Sequence, residues 1–410
     1  MALSTEDRAA AISLRQLRLF VAIGDLKSVR RASEECGLSQ PAVTQALAKL
    51  EDQVGVTLVN RRADGSYLNE LGSIFHARVR RFLDQTERAL IDAGSVASPR
   101  AAEAIANRLT RSQLRMLVGV SEAGSFERAS EALGISISSL HRAARDLESN
   151  MRVSLFYRTA VGMIVGPVGV TFGRRIKLAL QEVEWAIEEV EAALGRSSRQ
   201  TVIGAMPFGG SLLLSSVLDE FLAAHPRADI HIINDSAPKL MKSLGNGDVD
   251  LVIGLLPEQI DDDITAVPLA PTPYSIVARR SHPLLARPKV RHDDLVACDW
   301  VIGTEGSGRR ACFDRLFADG TTPPARISTC AQTVLQHLLK SSDRLALMTE
   351  YEIEHGDDDL RPVRFDPIAP VPSIGIMMRT NWLPTRLHDD FVDIVRRRVR
   401  APRLQLSQVV

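Results

Sequence analysis

Ser28-Val-Arg-Arg-Ala-Ser-Glu-Glu-Cys-Gly37-Leu-Ser39-Gln-Pro-Ala-Val-Thr-Gln45 reads as two short helices joined at a glycine. In the first, Val29, Ala32, Ser33 and Cys36 recur on one face, and Gly37 stands where a left-handed residue ends a helix. Ser39 can cap the second helix, with Pro41 in its first turn, where a missing N–H costs little. There Val43, Leu47 and Leu50 recur at spacings of four and three. They face inward, so Gln40, Pro41, Thr44 and Gln45 share the exposed side. Two helices, a glycine turn and a second helix bearing amides and hydroxyls describe a helix-turn-helix built to enter a DNA major groove. A helical hairpin with a solvated polar face would carry the same pattern.

The chain supplies a second copy. Residues 16–83 align with 113–180 without a gap at an offset of 97, about one position in three being identical. Arg31-Ala-Ser-Glu34 matches Arg128-Ala-Ser-Glu131. Gly37, Ser39, Leu50, Glu51, Arg61 and Gly72 return as Gly134, Ser136, Leu147, Glu148, Arg158 and Gly169. Each copy opens with a helix (about 14–24 and 111–121). A turn-rich, β-branched stretch follows the helix-turn-helix (56–68 and 153–165) and suggests a two-stranded wing, with Arg61, Arg62 and Arg158 placed to meet phosphate. The spacing predicts winged heads over 13–71 and 110–168, each continued by a long helix, 72–94 and 169–195.

The reading faces differ. Opposite Gln40, Pro41, Thr44 and Gln45, the second copy carries Ile137, Ser138, His141 and Arg142 behind its cap Ser136. Glutamine amides suit adenine and Arg142 suits guanine, so the copies cannot read the same bases; the second could also be a structural relic. Along the second long helix Phe172, Ile176, Ala179, Val183, Ala186, Val190 and Ala193 form a heptad stripe. Phe75, Val79, Phe82, Thr86, Ala89 and Ala93 make a poorer one, and either a partner helix or the chain's own core could cover it.

Beyond residue 200, short apolar runs alternate with helices, the pattern of an α/β domain with a largely parallel sheet and two lobes. The expected lobes are about 200–268 with 345–400, and about 269–344. Ligands in such folds sit where strands end and helices begin. That points to Pro207, Phe208, Gly210, Ser211 and Gly254 on one side, and Thr304, Glu305, Ser307 and Thr329 on the other. Gly303-Thr-Glu-Gly-Ser-Gly308-Arg-Arg310 falls short of a phosphate-binding P-loop, since Arg309 and Arg310 stand where Lys and Ser/Thr are required.

Composition sets the outer bounds. Apolar residues make up 45% and charged residues 24%, and the formal net charge is zero, so a DNA reading rests on local arrangement rather than bulk charge. No apolar run reaches a membrane span and Met1–Arg8 lacks a signal-peptide pattern. Cys36, Cys298, Cys312 and Cys330 are scattered, without metal-ligand spacing, and read as reduced thiols of a cytoplasmic protein.

Helix-turn-helix, wing, long helix and two-lobed α/β domain together resemble the LysR-type transcriptional regulators, from Leu14 to about Arg398. The motif running Arg31-Ala-Ser33, Leu38-Ser-Gln-Pro-Ala-Val-Thr44, Leu50-Glu51, Val56-Thr-Leu58-Val-Asn-Arg61 carries the likeness, with Ile276-Val-Ala-Arg-Arg-Ser-His-Pro-Leu284 and the Pro207 segment in the second half. The resemblance implies double-stranded DNA as partner and a small-molecule effector held between lobes similar to those of periplasmic solute-binding proteins. A sugar, sugar acid or other small organic acid is the expected effector. It further implies contact with RNA polymerase and a homo-oligomer, dimer or tetramer, without cofactor or enzymatic activity. Two departures stand out: the family carries one head per chain, and the two copies here keep different parts of its pattern. With two heads the long helices of one chain could pair as an internal pseudo-dimer. An enzyme fused to a degenerate head, or an interaction scaffold, are the rival readings; no catalytic constellation supports the first.

Overall fold

A computed structural model describes residues 5–160, 162–196, 200–206, 210–318, 320–356 and 358–400. The chain divides into two units, Met1–Ser198 and Arg199–Val410. Among the described residues no helix is long and apolar enough to cross a membrane.

In the first unit, α1 (Thr5–Ala11) precedes head one: α2 (Leu14–Leu26), α3 (Val29–Glu35), α4 (Gln40–Val54) and the antiparallel wing β1 (Val59–Arg62) and β2 (Gly65–Leu68). The long helix α5 (Glu70–Asp92) follows, then α6 (Pro99–Ala106). Head two comprises α7 (Arg111–Ala123), α8 (Phe126–Leu133), α9 (Ile137–Met151), β3 (Phe156–Thr159) and β4 (Gly162–Val165), and α10 (Pro167–Ala193) is its long helix.

The positions shared by the copies are those the fold requires. Ser13 and Thr110 close equivalent capping boxes with Gln16 and Gln113, and Ser39 and Ser136 cap the second helices. Gly37 and Gly134 take φ of 62° and 65° at the turn. The Glu51 carboxylate accepts the backbone N–H groups of Leu58 and Val59 at 2.7 and 3.1 Å, and Glu148 accepts those of Leu155 and Phe156 at 2.7 and 3.0 Å. Each glutamate thereby ties a wing to its α4 or α9. A Cβ on Gly72 would run into the Leu58 carbonyl, and one on Gly169 into that of Leu155, so each long helix starts hard against its wing. Cys36, placed with the buried face by periodicity, is exposed, because the helix has already ended at Glu35.

The long helices pair with each other. Phe75, Val79, Phe82, Thr86 and Ala89 are buried together with Phe172, Ile176, Ala179, Val183, Ala186 and Val190 in one core that continues into both heads. The stripe ends at Val190; Ala193, one heptad step on, is exposed. The pairing is antiparallel, since Arg78 meets Glu189, Gln85 meets Glu182 and Asp92 meets Arg175. The segment Gly94–Pro99 ends α5 and leads directly into α6, whose Ala102, Ile105 and Ala106 are buried.

The second unit has two lobes. One sheet, in order β6-β5-β7-β14-β8, comprises β5 (Gln200–Ala205), β6 (Asp229–Asn234), β7 (Leu251–Leu255), β8 (Ile264–Pro271) and β14 (Ser373–Arg379). The helices α11 (Gly210–Ala224), α12 (Ala237–Asn246) and α17 (Arg386–Arg400) belong to this lobe. The other lobe holds β9 (Tyr274–Arg279), β10 (Val301–Ile302), β11 (Ile327–Ser328), β12 (Ala346–Thr349) and β13 (Leu360–Pro362), with α13 (His292–Val296), α14 (Gly308–Leu316), α15 (Gln332–Lys340) and α16 (Glu350–Glu354).

Two expectations are corrected. The sheets are mixed: β5 runs parallel to β6 and β7, but β14 is antiparallel to β7 and β8, and β9 is antiparallel to β12 and β13. The return to the first lobe comes near Ser373 and not at Leu345, because β12 pairs with β9 and stays in the second lobe. Two strand crossovers join the lobes, and they hydrogen-bond to each other where the Thr272 N–H donates to the Pro372 carbonyl at 2.9 Å.

Candidate DNA-reading heads and effector cleft

On α4, Val43, Leu47, Leu50 and Val54 are buried, which leaves Gln40, Pro41 and Gln45 exposed and Thr44 half-buried. Ser39 is committed to its cap, its hydroxyl accepting the Ala42 N–H at 3.4 Å. Arg61 and Arg62 are exposed on the wing, with the Arg62 guanidinium 5.6 Å from the Tyr67 ring centre. The face expected to read bases is therefore assembled on one helix, with a cationic wing in the same head. Two carbonyls at the end of α4, of Gln53 and Val54, accept from Arg8 of α1, which also pairs with Glu191 of α10 at 2.8 Å. Sequence reading missed that clamp, since nothing local in α1 announces its partners.

On α9, Leu140, Ala144, Leu147 and Met151 are buried, and Ile137, Ser138 and Arg142 are exposed. The Ser136 hydroxyl caps the helix and contacts the hydroxyls of Ser138 and Ser139 at 3.1 and 2.8 Å. His141 is half-buried and stacks on Phe126, ring centres 4.6 Å apart and planes within 9°. Phe126 occupies the position of Val29 in head one, and His141 that of Thr44, so the two replacements form one contact. Arg158 is exposed on the second wing.

In the second unit a cleft of about 1080 Å³ opens between the lobes. Thr304, Glu305 and Ser307 line it, together with Tyr274, Arg309 and Cys330, and Met206 and Leu255 add apolar wall. Gly254 and Thr329 were expected there and do not line it. A Cβ on Gly254 would collide with Met206, so the glycine serves strand packing, and the Thr329 hydroxyl turns back to the Ala331 N–H at 3.1 Å. Pro207 and Phe208 lie outside the described residues, as does the side chain of Ser211, and Gly210 opens α11. Ser307 is an N-cap: its hydroxyl accepts the Arg310 N–H at 3.2 Å and donates to the Thr304 carbonyl at 2.6 Å.

Sequence reading missed the buried cation of the cleft. Arg309, rejected as a P-loop residue, is only 6% exposed. Its Nη2 meets buried Glu352 at 2.6 Å, and Glu352 also accepts from the Thr349 N–H and hydroxyl. The buried Nε and Nη1 of Arg309 find no hydrogen-bond partner among the described residues. Burial works against the charge of Arg309, but its surroundings, with Glu352 the foremost opposing influence, hold the guanidinium above its ordinary value, so it stays ionised. Burial pushes the Tyr274 hydroxyl well above its ordinary range, which keeps it a neutral donor. A Cβ on Gly308 would lie 3.3 Å from that hydroxyl, so the tyrosine reaches the first turn of α14. Arg310 and Arg315, by contrast, are paired with Asp314 and Glu258. An arginine directly following a glycine turn and opening a helix was the available signal.

Winged heads that expose a polar helix, joined to a two-lobed domain with a charged cleft, define a DNA-binding regulator that answers to a small molecule. Residues 195–400 match the LysR substrate binding domain, and residues 14–73 and 112–169 each match the bacterial regulatory helix-turn-helix protein, lysR family. The chain belongs to the LysR family of transcriptional regulators. It is 29% identical over 382 residues to the HTH-type transcriptional regulator GalR of Pseudomonas putida, covering 90% of this chain and 93% of that protein. A match of that extent cannot leave out either head. The probable RuBisCO transcriptional regulator of Trieres chinensis is 25% identical over 245 residues, 58% of this chain and 78% of its own length. A full-length OxyR point variant from Pseudomonas aeruginosa shares the fold with a TM-score of 0.50 at 20% identity, over 69% of this chain and 93% of that one.

Proposed function

We propose that the chain regulates transcription by seating α4 and α9 in DNA major grooves, and that a small organic acid, sugar acids included, sets its state from the interlobe cleft. Arg309 carries the effector reading. A buried guanidinium with two unpartnered nitrogens beside a neutral tyrosine donor and a helix N-terminus suits a carboxylate better than a neutral sugar. Met206, Leu255 and the Pro370–Pro372 stretch give the rest of such a ligand apolar wall. Binding that favours one lobe arrangement over another shifts the population of the regulator's states by no more than that difference in affinity. The expected compartment is the cytoplasm, and activation would need contact with RNA polymerase. Two chains would supply four heads, so a dimer is the expected assembly, measurable by light scattering.

The test is a thermal-shift series on the full chain with sugars, sugar acids and aliphatic and aromatic carboxylic acids, followed by gel shifts on its own upstream DNA. An acid at 100 times its Kd should stabilise the second unit by about 2.7 kcal/mol. Tyr274→Phe should weaken the response without unfolding the lobe. Stabilisation by neutral sugars alone would overturn the effector reading. Absence of any preference for upstream over random duplex at physiological salt would overturn the DNA reading.

A further inference from the structure

The paired long helices obey the symmetry of the duplication. Arg78 meets Glu189, Gln85 meets Glu182 and Asp92 meets Arg175. In each pair the two numbers add to 267, and the copies are offset by 97, so the pairing is a pseudo-twofold whose axis passes between Gln85 and its own counterpart Glu182. Arg78···Glu189 and Asp92···Arg175 are then the same contact seen from the two sides. Even α1 and α6 obey it: buried residues Ala9 and Ile12 of the first arm recur as Ala106 and Leu109 of the second.

At the axis the symmetry has been broken. Glu182 is buried and accepts from Arg78 at 3.0 Å, Arg81 at 3.1 Å and Gln85 at 3.1 Å, all three from the first copy's helix. Position 178, the counterpart of Arg81, is leucine. Two second-copy helices laid against each other would bring Glu182 against Glu182, with Arg175 standing for Arg78 but that leucine standing for Arg81, so the two carboxylates would share fewer cations than the unlike pair supplies. The pairing in this chain joins unlike helices, and the axis favours it over a pair of second copies. A helix exchanged between two chains would still join a first copy to a second, so every pair of heads contains one of each kind.

The heads themselves keep their scaffold and change their reading face. Caps, turn glycines and wing-anchoring glutamates are retained, whereas Gln40, Pro41, Thr44 and Gln45 stand opposite Ile137, Ser138, His141 and Arg142. Retained caps and a buried inner face argue against decay of head two, and exposed Arg142 equips it for guanine, as Gln40 and Gln45 equip head one for adenine. We infer that this regulator recognises a directional, non-palindromic duplex of two unlike half-sites, head one on an adenine-bearing half and head two on a guanine-bearing half. The inference rests on the DNA-binding reading above.

The experiment is selection of duplexes from a random library by the full chain, with gel shifts on the selected duplex and on two inverted repeats, one built from each half. The expected selected site is asymmetric and binds about tenfold or more tightly than either inverted repeat. Gln45→Ala should relax base preference in one half only, and Arg142→Ala in the other half only, with circular dichroism confirming that both fold. A selected site that is itself an inverted repeat would overturn the inference while leaving DNA binding intact. Unchanged preference after Arg142→Ala would overturn it too, by making head two a non-reader. No enrichment of any duplex would instead overturn the DNA reading, and this inference with it.

Discussion

Head one and head two began as the same module, and the differences between them separate what a winged helix-turn-helix needs from what it reads. Both keep a cap at Ser39 or Ser136, a left-handed glycine at Gly37 or Gly134, and a glutamate tied to two wing amides. They part at the exposed positions of α4 and α9 and at one packed contact, where Val29 and Thr44 give way to stacked Phe126 and His141. They part again where their long helices meet: Arg78 is fully buried between Glu182 and Glu189 and lies 5.3 Å from the Trp185 ring, while its counterpart Arg175 is 42% exposed on its side chain. Duplication within one chain frees each half from matching itself, so one half can carry the buried cation and the other the buried anion.

The largest expected effect tests that division. Arg78→Ala leaves Glu182 buried with only Arg81 and Gln85 beside it, and should cost about 3 kcal/mol. The symmetry-related Arg175→Ala removes an exposed pair and should cost less than about 1 kcal/mol. Hydrogen exchange of peptides from α5 and α10, with urea unfolding, would measure both. Equal costs would mean that the buried triad adds nothing to the pairing.

The packed contact comes next. Phe126→Val, which makes head two resemble head one, should destabilise it by about 2 kcal/mol through lost core volume. His141→Thr should cost about 1 kcal/mol of ring stacking. Because the rings touch, the double variant should lose less than the sum of the two. Strict additivity would show that Phe126 is held by Phe156, its edge-on neighbour at 5.4 Å, rather than by the histidine. Where the heads agree, the effects should agree as well: Glu51→Gln and Glu148→Gln should each cost about 1 to 2 kcal/mol, and clearly unequal costs would mean that one wing has another anchor.

How much of this was legible depended on range. The helices of each head, their caps and their buried faces follow from spacings of three and four and from single residues such as Gly37, so they could be read directly. The heptad stripes demanded a cover for Val79 and Ile176 but could not name it, since a stripe specifies a partner's shape and not its address. Register needed Arg78, Glu182 and Glu189 in space, 104 and 111 residues apart in sequence. In the second unit β8 carries no clean strand pattern because Pro268 and Pro271 interrupt it; it is an edge strand, where missing N–H groups are tolerated. The lobe boundary was misplaced because an apolar run such as Leu345–Met348 looks the same in either sheet. The strand-to-helix rule pointed to Thr304 and Ser307, which line the cleft, and not to Tyr274, because that residue stands at the start of β9, where no helix begins.

The smallest expected effect concerns two backbone positions at which the copies have made opposite choices. Helix α2 ends at Lys27 with φ of 53°, and its counterpart α7 ends at Gly124 with φ of 75°. Helix α4 ends at Gly55 with φ of 83°, and α9 ends at Arg152 with φ of 57°. A left-handed residue is needed at all four ends, and a side chain there meets its own carbonyl, a strain that glycine avoids at some cost in unfolded-state entropy. Lys27→Gly and Arg152→Gly should therefore each stabilise their head, by about 0.5 to 1 kcal/mol, read as a higher urea midpoint at unchanged slope. The reverse changes, Gly124→Lys and Gly55→Arg, should destabilise by a similar amount. The Gly55 change should be the worse of the two, since a Cβ there would sit 3.3 Å from the Arg8 guanidinium that clamps α4, while Gly124 has open space around it. A lower midpoint for Arg152→Gly would show that the arginine side chain contributes more at the end of α9 than its backbone conformation costs.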